Sequence, residues 1–178
     1  MLQRTPRRYG WAVAAALAAS VAGFAGGAGW AGWPTSDQTA LADEVAEYHA
    51  VCAREERHLV EVPADQMDEI TGWLGKRLER RLKVPDLAAD GLRFAGARML
   101  VVSGRPVAQL VYTRDQGGPL ALCVVKLAGT AAPVQLEKHG AQTTALWQDS
   151  AYAYVVVGEI GDEKLRTIVE HAAQQLRS

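Results

Sequence analysis

LRFAGARMLVVSGRPVAQLVYTRDQGGPLALCVVKL, residues 92–127, decides the fold. Three runs rich in Val and Leu, Leu92 to Val102, Pro106 to Arg114 and Pro119 to Leu127, are separated by Ser103-Gly104 and by Asp115-Gln116-Gly117-Gly118. Side chains alternate in type along the first two runs, the two-residue period of a strand with one face on a core. The breaks consist of residues that accept turn conformations, and such short connections reverse the chain, so consecutive strands pair antiparallel. Two more strands are expected near Gln142 to Trp147 and Ala151 to Glu159, with Asp149-Ser150 as the turn between them. The sheet expected is therefore five-stranded and mainly antiparallel. Leu120 to Leu127 and Tyr154 to Val157 are apolar at successive positions, which marks central strands covered on both faces.

Upstream of this region the period is helical. Asp37 to Glu56 carries Leu41, Val45, Tyr48 and Cys52 along one side. His58 to Pro63 reads as a short strand or an extended connector. A second helix follows, with Asp65 as its expected cap and Met67, Ile70, Leu74, Leu78 and Leu82 as its apolar stripe. The chain closes with a third helix, Asp162 to Leu176, whose packing face is Leu165, Ile168, Val169, Ala172 and Leu176. Helices, then strands, then a helix define an α+β domain without a βαβ rhythm.

The first 33 residues follow different rules. From Tyr9 to Trp33 no residue is charged, and 25 residues at helical rise are long enough to cross a hydrocarbon core about 30 Å thick. Arg7 and Arg8 precede the run, Trp11 marks one interface, and Trp30 and Trp33 mark the other. The positive-inside rule then places the N-terminus in the cytoplasm and the domain outside it, at a bacterial inner (plasma) membrane. The expected organisation is a short cytoplasmic N-terminus (1–8), a transmembrane helix (9–33), a linker helix and connector (34–62) and an extracytoplasmic α+β domain (63–178). The competing reading is a cleaved signal peptide, with Ala12 to Val21 as its apolar region and a cleavage point near Gly23 to Gly29. Gly23 and Gly27 make a small-xxx-small pair, which would let two spans pack closely into a homo-oligomer, but an Ala- and Gly-rich run produces such pairs by chance and that is the favoured reading.

The exported part is short of chemistry. All 20 acidic residues lie after Trp33, and no basic stripe of the kind that binds phosphates is evident there, so nucleic acid is not an expected partner. No Gly-x-Ser-x-Gly, Walker A or His-Glu-x-x-His pattern occurs, and neither an enzyme activity nor a cofactor is expected. His49 and Cys52 are one helical turn apart, a spacing that supplies two metal ligands where a closed site needs more. The default is therefore no metal site, a packed Cys52 and a solvated His49. Cys52 and Cys123 are the only cysteines. An oxidising compartment would let them form a disulfide, and the alternative is that each is a small buried hydrophobe. Trp73 and Trp147 read as core.

The run YHAVCAREERHLVEV from Tyr48 to Val62, Pro63-Ala64-Asp65-Gln66, Trp73-Leu74 and Lys76-Arg77-Leu78 resembles the extracytoplasmic half of transmembrane anti-sigma factors. Pro85-Asp86-Leu87, Asp90-Gly91-Leu92, Gly96 to Leu100, Ala108 to Tyr112, Trp147, the Tyr152 to Glu159 strand and the closing helix extend the resemblance. It implies a membrane-anchored regulator that holds an extracytoplasmic-function sigma factor inactive until a signal arrives, with the exported half as the sensor. That family's capture module precedes the span and often carries a zinc motif of one His and two Cys. The eight residues before Tyr9 contain neither, so no sigma-binding or zinc residue is carried over. The alternative function is a secreted or membrane-anchored binding or adaptor module without sigma-factor binding.

Overall fold

The computed structural model describes residues 36–54 and 58–177. The expected span over 9–33 and its anchors Arg7, Arg8, Trp11, Trp30 and Trp33 lie outside these residues. Among the described residues no helix is long and apolar enough to cross a membrane.

The domain is α+β. Among the described residues its α-helices are α1 (Ser36–Cys52), α2 (Met67–Leu78) and α3 (Asp162–Arg177). The strands are β1 (Val62–Pro63), β2 (Arg93–Val102), β3 (Arg105–Thr113), β4 (Leu120–Lys126), β5 (Ala132–His139), β6 (Gln142–Gln148) and β7 (Tyr152–Gly158). They form one antiparallel sheet in the order β1-β2-β3-β4-β7-β6-β5.

The sheet therefore has seven strands, and the expectation of five is corrected. The larger omission is β5. It contains Pro133 and the charged pair Glu137-Lys138, features that argue against a central strand. It is an edge strand, where Pro and charge are tolerated because one side of the backbone needs no partner. The other strand outside the count is β1, two residues at the opposite edge that pair with Ala97 and Gly96 and fall in the His58 to Pro63 stretch read as a short strand or a connector. Gly96 is required there. Its φ of +144° is costly for other residues, and a methyl group on it would collide with the Val62 carbonyl oxygen.

Alternation along the central strands distributes side chains between two cores. Leu120, Leu122 and Val124 of β4 join Tyr154 and Val156 of β7 on the face covered by α2 and α3. Ala121, Cys123 and Val125 join Val155 and Val157 on the face covered by α1. This double coverage is why β4 from Leu120 to Val125 and β7 from Ala153 to Val157 are apolar at successive positions, and it places them at the sheet centre as the sequence implied.

Two helix details also differ from expectation. Gln66, not Asp65, occupies the N-cap of α2, without a side-chain cap bond. Met67 is exposed, and Leu82 is buried beyond the helix end. The packing face of α3 is as read from the sequence, with Leu165, Ile168, Val169, Ala172 and Leu176 all buried.

Candidate functional site

The most unusual chemistry lies between α1 and the sheet. The buried stripe of α1 runs through Gln38, Leu41, Ala42, Val45, Ala46 and His49, at the spacing of one helical face. Two of these six side chains are polar. The stripe packs on Leu100, Val107, Leu146 and Val155, and polar contacts run along the seam on either side of it.

At the start of α1 the amide of Gln38 donates to Gln148 at the end of β6. Gln148 in turn donates to the Leu127 carbonyl at 2.9 Å. Asp37 lies 3.8 Å from Arg105. Two turns on, Glu44 accepts from both the amide (3.2 Å) and the hydroxyl (2.7 Å) of Ser103, in the β2–β3 turn. Farther along, Gln142 of β6 donates to the Ala46 carbonyl (3.1 Å) and accepts from the Ala50 amide (3.2 Å) in the amide orientation that satisfies both its ends.

His49 closes the seam. It is 2% exposed, so the expectation of a solvated imidazole is corrected. Nε2 lies 3.2 Å from the Pro119 carbonyl oxygen, which only accepts, so the proton sits on Nε2. Nδ1 is buried with no hydrogen-bond partner. Burial holds the imidazole below its ordinary value of 6.5, and the bond to Pro119 opposes that less strongly.

Beneath α1 the sheet carries a buried polar chain that the sequence reading passed over. Arg98 of β2 donates from Nε to Gln109 of β3 at 2.5 Å, and Gln109 donates to Cys123 Sγ at 3.6 Å. The Arg98 guanidinium also lies 5.4 Å from the Tyr48 ring centroid, a cation–π contact. The signal available was a long polar side chain in an apolar row: Gln109 lies between Val107 and Val111 on one face of β3.

The two cysteines are not brought together as a disulfide; both are free thiols. Cys123 is buried in β4, and burial pushes its thiol up to about 12. Cys52 is partly exposed in the last turn of α1.

One trio has donor atoms suited to a metal. His139 of β5 places Nδ1 3.2 Å from Asp43 Oδ1 of α1, and Nε2 3.2 Å from Thr144 Oγ1 and 3.8 Å from Glu137 Oε2. One donor atom each of Asp43, Glu137 and His139 lie within 4.8 Å of one another.

The opposite face holds a clasp. The Arg80 guanidinium donates to Tyr154 Oη (2.7 Å), which donates to Asp149 (2.7 Å), and Trp147 stacks on Tyr154 with centroids 5.0 Å apart. Asp149 Oδ1 also accepts from the amides of Ala151 (2.8 Å) and Tyr152 (2.7 Å) in the β6–β7 turn, while Oδ2 takes the Tyr154 hydroxyl, so both oxygens are occupied. A cleft of about 290 Å³ beside this clasp runs between Pro133, Val134 and Leu176.

A fully antiparallel sheet between one polar-seamed helix and two apolar-faced helices is the class that fold and site define. No family model matches the chain, and no curated protein was found to be similar to it.

Proposed function

We propose that this chain is a membrane-anchored regulatory protein of the anti-sigma type, without enzymatic activity, in which α1 relays the state of an exported sensor domain to the membrane. The observation that supports this reading is the character of the α1 seam. A helix fastened mainly by apolar contacts leaves its place at a large hydrophobic cost. Here two of the six buried side chains are polar, and hydrogen bonds to Gln148, Ser103 and Gln142 supplement a small apolar stripe. Exposed, those groups bond to water instead, so the net cost of undocking is modest.

The direction of relay follows from chain order. α1 begins two residues after Pro34, which directly follows the uncharged run from Tyr9 to Trp33. In this reading the run is the span of a bacterial plasma membrane protein, and a shift of α1 changes how the span is presented to a cytoplasmic sigma factor.

Membranes from cells carrying a C-terminally tagged chain provide the test. Retention in the pellet after alkaline carbonate washing, with an extracytoplasmic-function sigma factor co-purifying after detergent extraction, is expected. Release into the supernatant contradicts the anchor. A retained chain with no sigma factor and no change in sigma-dependent transcripts on deletion contradicts the anti-sigma assignment.

A further inference from the structure

We propose that His139, Glu137 and Asp43 form a divalent transition-metal site that clamps α1 onto the β5 edge. The proposal deepens the relay reading by naming what the exported domain binds, and it rests on that reading only for the consequence of binding.

Glu137 and His139 are two residues apart on β5, so their side chains leave the same face of the strand. Asp43 reaches the same point from α1. Among the described residues this is the one trio of His, Cys, Asp or Glu with donor atoms within 4.8 Å of one another. Metal–ligand bonds of about 2.0–2.2 Å place neighbouring ligand atoms roughly 3–4 Å apart, so side-chain adjustment alone closes the set.

The charge also fits. Two carboxylates balance a divalent cation, and a neutral imidazole adds the nitrogen that favours zinc, cobalt or nickel over magnesium and calcium. Nδ1, beside Asp43, binds while Nε2 keeps Thr144 Oγ1 at 3.2 Å, the arrangement that usually orients a ligating histidine, and Glu137, 3.8 Å from Nε2 in the metal-free geometry, swings to the Nδ1 side to complete the set. Side-chain exposures of 52% for Asp43 and 34% for Glu137 leave room for water in the remaining positions. Because the ligands come from two elements 94 residues apart in sequence, binding holds α1 against β5.

Metal-free full-length chain in detergent, titrated with Co2+ by visible absorption and with Zn2+ by calorimetry, tests the site. Saturable binding of one ion, weakened at least tenfold by His139→Ala and by Glu137→Gln but unchanged by His171→Ala, is expected. His171 pairs with Asp90 at 2.8 Å and serves as a histidine–carboxylate control. No saturable binding, or equal binding by His139→Ala and the parent chain, overturns the proposal. Hydrogen exchange with and without Zn2+ separates the two readings. Slower exchange in α1 supports both, whereas binding without it upholds the site and counts against the relay.

Discussion

His49 Nε2, on the buried side of α1, lies 3.2 Å from the carbonyl oxygen of Pro119, while its Nδ1 meets no partner. Protonation would add a donor and a charge where neither is satisfied. Burial lowers the proton affinity of this ring, and the positive charge of Arg98 acts in the same direction. A folded-state value below the unfolded one means that the unfolded chain binds more protons in the window between them. The contribution of His49 is therefore fully present above about pH 6.5 and is lost as the pH falls toward the lowered value. Urea midpoints measured from pH 7.5 to 5 should fall with acidification, and His49→Gln should fall less. Equal slopes in the two proteins would contradict the assignment.

Asp149 sets a second, more acidic window. Burial alone would raise its carboxyl, but the bonds from Tyr154, Ala151 and Tyr152 and the charge of Arg80 together hold it below the ordinary 3.8. Its contribution is present above that value and lost as the pH falls through the lowered one. Asp149→Ala should cost about 1–3 kcal/mol at neutral pH by stranding these donors. Asp149→Asn should cost less and flatten the acid limb of the stability curve.

Gly96 of β2 pairs with Pro63 of β1, and Gly96→Ala should destabilise by about 1–3 kcal/mol through overpacking against Val62 and Pro63. Gly104 also has a positive φ, of 75°, but nothing stands near its missing Cβ. Gly104→Ala should show only the left-handed backbone cost, about 1–2 kcal/mol. Denaturant midpoints of the two variants rank the effects.

The thiols offer a check by mass. Native chain treated with iodoacetamide should gain one adduct, at Cys52, because Cys123 is buried with its proton held up to about 12. In denaturant without reductant both should react. Two adducts fewer in that arm than in the reduced sample would reveal a Cys52–Cys123 disulfide.

Much of the sheet was legible because apolar alternation and turn residues act locally. β2, β3, β4, β6 and β7 fall where Val, Leu and Gly place them, and the uninterrupted apolar run of β4 announced its central position. β5 was not legible, since an edge strand obeys a weaker rule and Pro133 mimics a break. The seam was missed for a different reason. Gln38 and Gln148 are 110 residues apart, and nothing in either neighbourhood announces the other. His49 looked solvated because its helical neighbour Tyr48 drew the apolar face too far round. Tyr48 is in fact 41% exposed, and the buried stripe is rotated onto Ala42, Ala46 and His49.

Hydrogen exchange resolved by peptide in the full-length chain in detergent most directly tests whether α1 opens as a unit. Amides of Leu41 to His49 should exchange through an opening that costs less than global unfolding, while β4 and β7 exchange only with the whole domain. Gln38→Ala, which removes the contact to Gln148, should speed exchange in α1 and leave the central strands unchanged. Exchange of α1 at the same free energy as β4, in both proteins, would contradict a releasable helix.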